Sequence, residues 1–224
     1  MDVVILAGGA APPDLQTLHA LLASQPDALL IGVDRGALYL IEAGLELDHA
    51  VGDFDSVSQE EFALIQAKSR SIHRSPAEKD DTDMELALVM AMEQTDPANT
   101  NYYLFGAITS KEGRLDHLIA NLWLVYQPRF KAIQGQLHFM DEARQIDFLT
   151  PGCQVIHNRN QARYLSIISL TPVEDLVINQ AKYTLAQTSY TYPRALISNE
   201  FMGQDPVEVS FKTGLVMVIL EKKT

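Results

Sequence analysis

The chain has 224 residues, with 17 Lys+Arg against 29 Asp+Glu, so its formal net charge is −12. Proteins that bind nucleic acid through its backbone need a basic face, and this sequence has no basic run, which argues against nucleic acid as a partner. An acidic surface is also repelled by anionic lipid, so we expect no membrane partner. A hydrophobic fraction of 47% is typical of a packed globular protein and argues against long disordered stretches.

The cysteine content and the apolar runs bear on the compartment. Cys153 is the single cysteine, so no internal disulfide can form, which fits a reducing environment. The N-terminal segment lacks a basic stretch before its short apolar run, and no segment approaches the roughly 18 apolar residues that span a bilayer. These features predict a cytoplasmic, soluble protein.

The first half of the chain alternates short apolar runs with amphipathic helical patterns. Predicted strands cover residues 3–6, 28–33, 49–51 and 102–105. Predicted helices start near residue 14 and cover residues 37–43, 60–67 and 84–92, with a further helix opened by Arg114. This alternation predicts a Rossmann-like α/β domain, which is a mainly parallel sheet with helices on both faces.

The second half of the chain has a different pattern, in which strand-like runs follow one another with few helical stretches. The predicted strands cover residues 137–140, 145–149, 164–170, 176–178, 207–211 and 215–220. Turn residues such as Pro151, Gly152 and Gly214 separate these runs. The pattern predicts an all-β antiparallel domain, a sandwich or a barrel, of which we take the sandwich. We place the domains at residues 1–131 and 132–224.

Two aspartates follow the third predicted strand, in the segment of residues 52–56. Ligands of parallel sheets lie beyond the carboxyl ends of the strands, so this position is favourable for a site. In extended backbone the side chains of Asp53 and Asp55 point the same way, while Phe54 turns into the core. Two close carboxylates repel each other, and a hard divalent cation such as Mg²⁺ removes that cost. The alternative is a solvated turn in which the aspartates cap the backbone.

Asp80 and Asp83 precede the next predicted helix and are three residues apart, so they share a face. Lys79 beside them could meet a phosphate group. The alternative is that the acidic residues and Thr82 stabilise the helix N-terminus by capping and through the macrodipole. Sequence reasoning leaves both open.

The helix that Arg114 opens has a polar edge next to an apolar arc. At 100° per residue, Arg114, His117 and Asn121 fall together. A planar guanidinium suits phosphate, and His117 and Asn121 could orient it or contact a nucleotide. Leu115, Leu118, Ile119, Leu122, Val125 and Tyr126 form the arc, which we expect to be buried. An ordinary polar helix edge is the alternative.

Gly8 and Gly9 follow the first predicted strand. Their backbone N–H groups could approach a phosphate, and a tight turn is the equal alternative. The segment does not match the dinucleotide-binding or P-loop glycine patterns, which disfavours both of those classes.

Six segments, taken together and in chain order, resemble the thiamine pyrophosphokinase (thiamine diphosphokinase) family. They are Ala7-Gly8-Gly9, Asp34-x-Gly36-Ala37, Gly52-Asp53-x-Asp55-Ser56, Lys79-Asp80-x-Thr82-Asp83, Gly113-Arg114-x-Asp116-His117 with Asn121, and Ser198-Asn199-Glu200. The match spans nearly the whole chain and includes the change to a β-rich pattern near residue 132. It departs from the family at Arg35 and Glu112, where glycines are usual.

The resemblance implies a homodimeric, Mg²⁺-dependent enzyme that transfers the terminal diphosphate of ATP to the hydroxyl of thiamine, giving thiamine diphosphate and AMP. The implied metal and phosphate ligands are Asp53, Asp55, Asp80 and Asp83, with Arg114 completing the catalytic set. The implied ATP-binding residues are Gly8, Gly9, Asp34, Lys79, Arg114, Asp116, His117 and Asn121. Ser198 and Asn199 would face thiamine in a loop of the second domain, which in the family meets the partner subunit.

Two other classes of protein stay open on the residues alone. A metal-dependent phosphohydrolase could use the same acidic cluster and would release phosphate or pyrophosphate without thiamine. A non-catalytic binder of thiamine or nucleotide would bind without forming AMP.

Overall fold

The computed structural model describes residues 1–8, 13, 15–76, 80–108, 114–158 and 161–223. The chain divides into two compact units. The first comprises Met1–Ile133 with Phe139–Glu142, and the second Gln134–His138 with Ala143–Thr224. In the part of the chain that is described, no helix has the length and apolar content needed to cross a membrane.

The first unit contains a parallel sheet whose strands alternate with helices. Its strands are β1 Val3–Ala7, β2 Leu29–Val33, β3 Leu47–Gly52, β4 Ser69–Arg74 and β5 Tyr102–Phe105. Its helices are α1 Gln16–Ser24, α2 Arg35–Glu42, α3 Gln59–Lys68, α4 Asp83–Gln94 and α5 Leu115–Leu122. The strands lie in the order β5-β1-β2-β3-β4, and each pair between neighbours is parallel.

Both faces of this sheet are covered by helices. Alternate strand residues such as Val4, Leu6 and Leu30 form a core cluster with apolar residues of α1, α2 and α3. Helix α4 packs against β1, β2 and β3, but its buried residues lie outside this cluster, so α4 covers the other face. Strands buried on both faces need near-continuous apolar runs, and β2 is buried at all five positions.

The strand order places a crevice beside β1. The chain runs outward from β1 through β2, β3 and β4 and then returns to the other side of β1 to form β5. In open α/β sheets a ligand crevice lies beyond the strand ends at such a reversal. The loops after β1 and β5 approach closely there, since a Cβ on Gly106 would lie 2.3 Å from the Ala7 carbonyl oxygen. Gly106 also has a φ of +75°, so two independent constraints favour glycine.

The second unit is built from antiparallel strands. They are β7 Arg144–Leu149, β8 Gly152–Ile156, β9 Tyr164–Ser169, β10 Val173–Asn179, β11 Leu185–Tyr190, β12 Arg194–Asn199, β13 Val207–Phe211 and β14 Val216–Glu221, while β6, Leu137–Met140, spans the division between the units. One set of neighbours is β12-β9-β14-β7 and the other is β11-β10-β13-β8.

The two sets of strands share one apolar core. Leu165 and Ile167 from the first set cluster with Ile178 and Val209 from the second. Inward-facing residues alternate with outward-facing ones along the strands, as in a β-sandwich. The predicted fold class, a mainly parallel α/β domain followed by an antiparallel β domain, is confirmed.

Short 3₁₀ helices connect several of these elements. They are Pro97–Asn99, Trp123–Tyr126 and Pro128–Gln136. Trp123–Tyr126 directly continues α5, so the helix predicted from Arg114 to Tyr126 changes geometry after Leu122.

Candidate active site

The aspartate pair that follows β3 lies in a tight turn. Phe54 has a φ of +60°, a conformation that a bulky side chain rarely adopts. Its ring is buried and lies 5.0 Å from the Phe62 ring, which confirms that Phe54 turns into the core. The backbone is therefore not extended here, in contrast to the predicted geometry. Instead, the Asp55 N–H donates to Asp53 Oδ1 at 3.0 Å, and the turn leaves the Asp55 side chain exposed.

Asp34, after β2, supports this turn. Its own φ is +49°, its N–H donates to the Val51 carbonyl at 2.9 Å, and its Oδ1 accepts from the Phe54 N–H at 3.3 Å. A Cβ on Gly52 would lie 1.9 Å from Asp34 Oδ1, so only glycine permits this approach. Strained backbone of this kind concentrates at functional sites. The structure thus places Asp34 against the turn of Asp53 and Asp55, and its predicted contact with the nucleotide stays a prediction.

Ser75 connects the ends of β3 and β4 to the start of α4. Its N–H donates to the Gly52 carbonyl at 3.0 Å, and its hydroxyl donates to Asp83 Oδ1 at 2.7 Å. These two bonds bring Asp83 to the end of β3. The last residue of β3, Gly52, directly precedes Asp53 in the sequence. Sequence reasoning missed Ser75, because a serine after a polar strand carries no distinctive signal.

The start of α4 resolves part of the question about capping. Thr82 and Glu85 form a capping box, in which the Thr82 hydroxyl accepts from the Glu85 N–H and the Glu85 carboxylate accepts from the Thr82 N–H. The cap is therefore Thr82 rather than Asp80 or Asp83. Asp83 lies in the first turn, where a negative charge is favourable, and Asp80 is exposed just before the helix.

Arg129 anchors the same helix start and was also missed. Its two terminal nitrogens donate to the two oxygens of Asp81, each at 2.8 Å, and one of them lies 3.3 Å from Glu85 Oε1. The hydrogen bonds from Asp81 raise the pKa of Arg129 above its usual value. Gln127 also donates to Glu85. Asp81 lies between Asp80 and Asp83 in the sequence, and its carboxylate pairs with Arg129 at the start of α4.

Arg35 holds the turn after β3 from its far side. Its guanidinium donates to the Ser56 carbonyl at 2.7 Å and pairs with Glu61 at 3.2 Å. The Arg35 side chain therefore spans from α2 to the loop that carries Asp53 and Asp55. A glycine at this position could make neither contact.

Of the side chains predicted to form the polar edge of α5, Arg114 and His117 are exposed and Asn121 is buried. Arg114 donates to both oxygens of Asp116, at 3.2 and 2.6 Å, and this hydrogen bonding lowers the pKa of Asp116. Both side chains and His117 are exposed. Asn121 is buried and donates to the Ala107 carbonyl at 3.0 Å, so it fixes the loop after β5. The contacts of these four residues with ATP stay predictions.

The apolar arc of α5 was predicted to be buried, and this prediction is wrong for most of its length. Leu115 is 68% exposed, Ile119 40% and Tyr126 47%, and the neighbouring Trp123 is 63% exposed. Val125 is fully buried, as expected. We call Leu115, Ile119, Trp123 and Tyr126 the α5 apolar face. A surface of this kind often marks an interaction site.

Gly8 lies where the loop after β1 crosses the start of α2. Its N–H donates to the Val33 carbonyl at 3.2 Å, and a Cβ there would lie 2.8 Å from the Gly36 nitrogen. These contacts fit the tight-turn alternative, and the contact of Gly8 with phosphate stays a prediction. Gly9 and Lys79, together with the departure at Glu112, lie outside the described residues.

Ser198 and Asn199 lie at the end of strand β12 rather than in a loop. Pairing of β12 with β9 shifts register between Leu196 and Asn199, and Ser198 has a φ of +62° and is exposed. Asn199 is buried. Its Oδ1 accepts from the Tyr183 N–H at 2.9 Å, and its amide donates to the Tyr183 carbonyl at 2.8 Å. Asn199 thus fixes the backbone beside the exposed Ser198.

The donor chemistry at the ends of β3 and β4 fits Mg²⁺. Carboxylate oxygens are hard ligands, and hydrogen bonds from Ser75 and from the Asp55 backbone orient Asp83 and Asp53. Among the described residues, no three His, Cys, Asp or Glu side chains lie close enough to hold a metal by themselves. Mg²⁺ in phosphate-transferring sites is commonly bound by one or two carboxylates together with substrate phosphates and water. The residues present suit that arrangement rather than an all-protein cage.

These features define a class of protein. It is a two-domain chain whose α/β unit gathers carboxylates beyond the ends of parallel strands, and whose second unit is an antiparallel sandwich. The family model for the "Thiamin pyrophosphokinase, catalytic domain" matches residues 21–137, and the model for its "vitamin B1 binding domain" matches residues 153–216. The chain belongs to the thiamin pyrophosphokinase family.

Individual relatives agree with this assignment. A thiamine pyrophosphokinase of Bacillus subtilis (strain 168) is 34% identical over 193 residues, which cover 85% of this chain and 86% of the relative. The crystal structure of a thiamin pyrophosphokinase family protein from Enterococcus faecalis has a TM-score of 0.88 at 37% identity, and that of the Bacillus subtilis thiamine pyrophosphokinase has a TM-score of 0.84 at 30% identity. Each comparison covers all of both chains. The predicted family and enzyme class, a thiamine diphosphokinase, are confirmed.

Proposed function

We propose that the protein transfers the terminal diphosphate of ATP to the hydroxyl of thiamine, giving thiamine diphosphate and AMP, in a Mg²⁺-dependent reaction. Family membership supports the reaction class. The observation that carries the proposal is the pair of hydrogen bonds made by Ser75, which brings Asp83 to the end of β3. Asp53 and Asp55 follow directly after that strand. Diphosphate transfer depends on positioning and charge neutralisation, and oriented carboxylates are suited to hold the metal for both.

The first unit would bind ATP and metal. Mg²⁺, when bound, neutralises phosphate oxygens, and Asp53, Asp55, Asp80 and Asp83 are its proposed ligands. One of these carboxylates accepts the proton of the thiamine hydroxyl. Arg114 stabilises charge on the phosphates. The remaining proposed ATP-binding residues are Gly8, Gly9, Asp34, Lys79, Asp116, His117 and Asn121.

Arg114 can exchange its partner when ATP arrives. Its pairing with Asp116 is exposed on both sides, and exposed ion pairs contribute little to stability. A phosphate group carries more charge and fits the same planar donor fork. Asp116 therefore holds the guanidinium until a phosphate replaces it.

The predicted domain of residues 132–224, which contains the second unit, would bind thiamine and form the dimer. Ser198 is exposed at a bulge-like irregularity of β12, and Asn199 fixes the neighbouring backbone through two hydrogen bonds to Tyr183. This pairing supports a role for Ser198 as the polar contact and for Asn199 in holding the site. We assign ATP and Mg²⁺ to the domain of residues 1–131.

The enzyme is proposed to be a homodimer in the cytoplasm with its active site at the subunit interface. The α5 apolar face supports a second copy as the partner, because four large apolar side chains of one helix surface are 40–68% exposed. Trp and Tyr, both present on this face, are enriched among the residues that dominate protein interfaces.

One assay tests the proposed reaction. Purified protein is incubated with ATP and Mg²⁺, with and without thiamine, and the nucleotide and thiamine products are quantified. We expect AMP and thiamine diphosphate in equal amounts and neither product without thiamine. Phosphate or pyrophosphate formed without thiamine would instead identify a phosphohydrolase. Binding without any AMP would identify a non-catalytic binder.

A further inference from the structure

Two histidines face each other on neighbouring strands at the edge of the parallel sheet. His49 lies in β3 and His73 in β4, and their ring centroids are 5.2 Å apart with an angle of 58° between the planes. His49 Nδ1 lies 3.3 Å from His73 Nε2, and the Ser71 hydroxyl lies 2.5 Å from the first nitrogen and 3.0 Å from the second. Two imidazole nitrogens and one hydroxyl oxygen therefore lie within hydrogen-bond distance of one another.

The sheet register builds this cluster. His49 is the direct partner of Ser71 in the β3–β4 pairing, and His73 is the partner of Val51. Residues two apart along a strand share a face, so Ser71 and His73 lie on the same side as His49. β4 is an edge strand of the sheet, and the His73 side chain is exposed, so an ion can reach the cluster from solvent.

Gln94, the last residue of α4, fixes the tautomer of His49. Its Oε1 lies 2.8 Å from His49 Nε2, and an amide oxygen can only accept, so Nε2 carries the proton. The lone pair of His49 is therefore on Nδ1, which points to Ser71 and His73. Metal-binding histidines usually donate their second ring N–H to an oxygen in this way, which sets the orientation of the ring.

The spacing of the two nitrogens matches that of ligands around a tetrahedral ion. With metal–nitrogen bonds of about 2.05 Å and a tetrahedral angle, two ligand nitrogens lie about 3.3 Å apart. For both nitrogens to bind the ion, His73 carries its proton on Nδ1, which leaves a lone pair on Nε2 and keeps both rings neutral. Although His73 is exposed, partial desolvation of its ring, followed by the nearby His49, lowers the pKa of His73, which favours the neutral form that binds metal.

We infer that His49 and His73 form a binding site for a divalent late transition-metal ion, with Zn²⁺ as the expected species and the Ser71 hydroxyl beside it as a hydrogen-bonding group. Imidazole ligands favour such ions, whereas Mg²⁺ prefers carboxylate, carbonyl and water oxygens. The site is therefore distinct in chemistry from the proposed Mg²⁺ site, and it does not depend on the proposed reaction. Gln94 is a positioning residue, since it acts through His49.

Such a metal would join β3 to its edge strand. β3 ends at Gly52, and β4 is followed by Ser75, whose hydroxyl donates to Asp83. Because the ion binds the folded arrangement of two strands, Zn²⁺ would stabilise the first unit by mass action. We expect the thermal unfolding temperature to rise with Zn²⁺ concentration.

The test is a calorimetric titration of Zn²⁺ into the full chain without a histidine tag, in saturating Mg²⁺ to occupy the carboxylate site. We expect one Zn²⁺ per chain. His49→Gln and His73→Gln should each weaken binding at least tenfold, and Gln94→Leu about tenfold. His157→Gln, which removes an exposed histidine of the second unit, is the matched control and should leave affinity unchanged.

A measurement on the unaltered protein guards against variants that fail to fold. Nuclear magnetic resonance of the imidazole rings should show Zn²⁺ shifting the signals of His49 and His73 while those of His157 stay in place. Equal Zn²⁺ affinity in the wild type and in folded His49→Gln and His73→Gln proteins would overturn the proposal. So would unchanged ring signals of both histidines at saturating Zn²⁺.

Discussion

The turn after β3 and the start of α5 both follow strands of the same parallel sheet, yet they are held in different ways. Asp53 and Asp55 sit in a turn that three residues from two other segments support, Asp34 and Arg35 after β2 and Ser75 after β4. In α5, Arg114 donates to Asp116, two residues away on the same surface. The turn is fixed by long-range contacts, and the helix edge by a local pair.

This difference matches what the two groups would have to do. Carboxylates that hold a metal must be positioned before substrate arrives, because reorganisation during the reaction would raise the barrier. A guanidinium that binds phosphate can instead change partners as the substrate enters. We therefore expect the turn to tolerate little change, and α5 to respond mainly through binding and assembly.

Replacing Asp55 with Ala should give the largest effect. Loss of one metal carboxylate removes several kcal/mol of transition-state stabilisation, which corresponds to a fall in kcat on the order of 10³-fold. The side chain is exposed and the backbone bond to Asp53 remains, so the fold should survive. Circular dichroism and AMP formation test both statements. Asp205→Ala, an exposed aspartate of the second unit, is the control, and near-normal turnover by a folded Asp55→Ala protein would disprove the assignment.

Trp123→Ser tests the expectation that α5 responds mainly through binding and assembly. If the α5 apolar face meets a second copy, removing this side chain should weaken dimerisation about 30-fold, the effect of losing roughly 2 kcal/mol at an interface hot spot. Sedimentation velocity over a range of protein concentrations gives the dissociation constant. Leu64→Ser changes an exposed apolar residue of α3 and should have no effect. A Trp123→Ser protein that dimerises like the wild type would exclude this face from the interface.

The strands that sequence reasoning missed share one physical property. They are β4, β8, β11 and β12, and each lies at an end of its row of strands. Edge strands face solvent on one side and are often polar, so they lack the apolar runs by which buried strands are recognised. β4, for example, has no fully buried residue. Central strands such as β2 and β13 were predicted nearly to the residue. β2 is buried at all five positions and β13 alternates buried apolar with half-buried polar residues, and both patterns are recognisable in a sequence.

The candidate site shows a similar division. Aspartates after apolar strands could be located because their position relative to a strand is visible in the sequence. Ser75, Arg129 and the contact of Arg35 with Ser56 depend on partners 8 to 48 residues away. No local pattern specifies such pairs. The exposed arc of α5 was misjudged for a related reason, since periodicity identifies an apolar face but not what covers it.

Ser75→Ala should sharpen the comparison with a smaller effect. The substitution removes the hydroxyl that donates to Asp83 but keeps the backbone bond to Gly52. Residues that orient metal ligands typically contribute 10–100-fold, so we expect about tenfold lower kcat and a higher Mg²⁺ requirement. Initial rates measured against Mg²⁺ concentration distinguish the two. The control is Ser24→Ala, which removes a hydroxyl that donates to the Leu21 carbonyl at the end of α1. An unchanged Mg²⁺ dependence in Ser75→Ala would contradict the role of Ser75.

The smallest expected effect is that of Arg35→Ala. The variant loses the bond to the Ser56 carbonyl and a half-exposed ion pair with Glu61, which together contribute about 1 kcal/mol to stability. Because Asp34 and Gly52 still hold the turn, kcat should change by less than about threefold. Urea unfolding and AMP formation measure the two quantities. Arg70→Ala breaks a comparable ion pair with Asp48 away from the turn and should leave kcat unchanged. A tenfold or larger loss of kcat in Arg35→Ala would mean that Arg35, rather than Asp34, sets the geometry of the carboxylates.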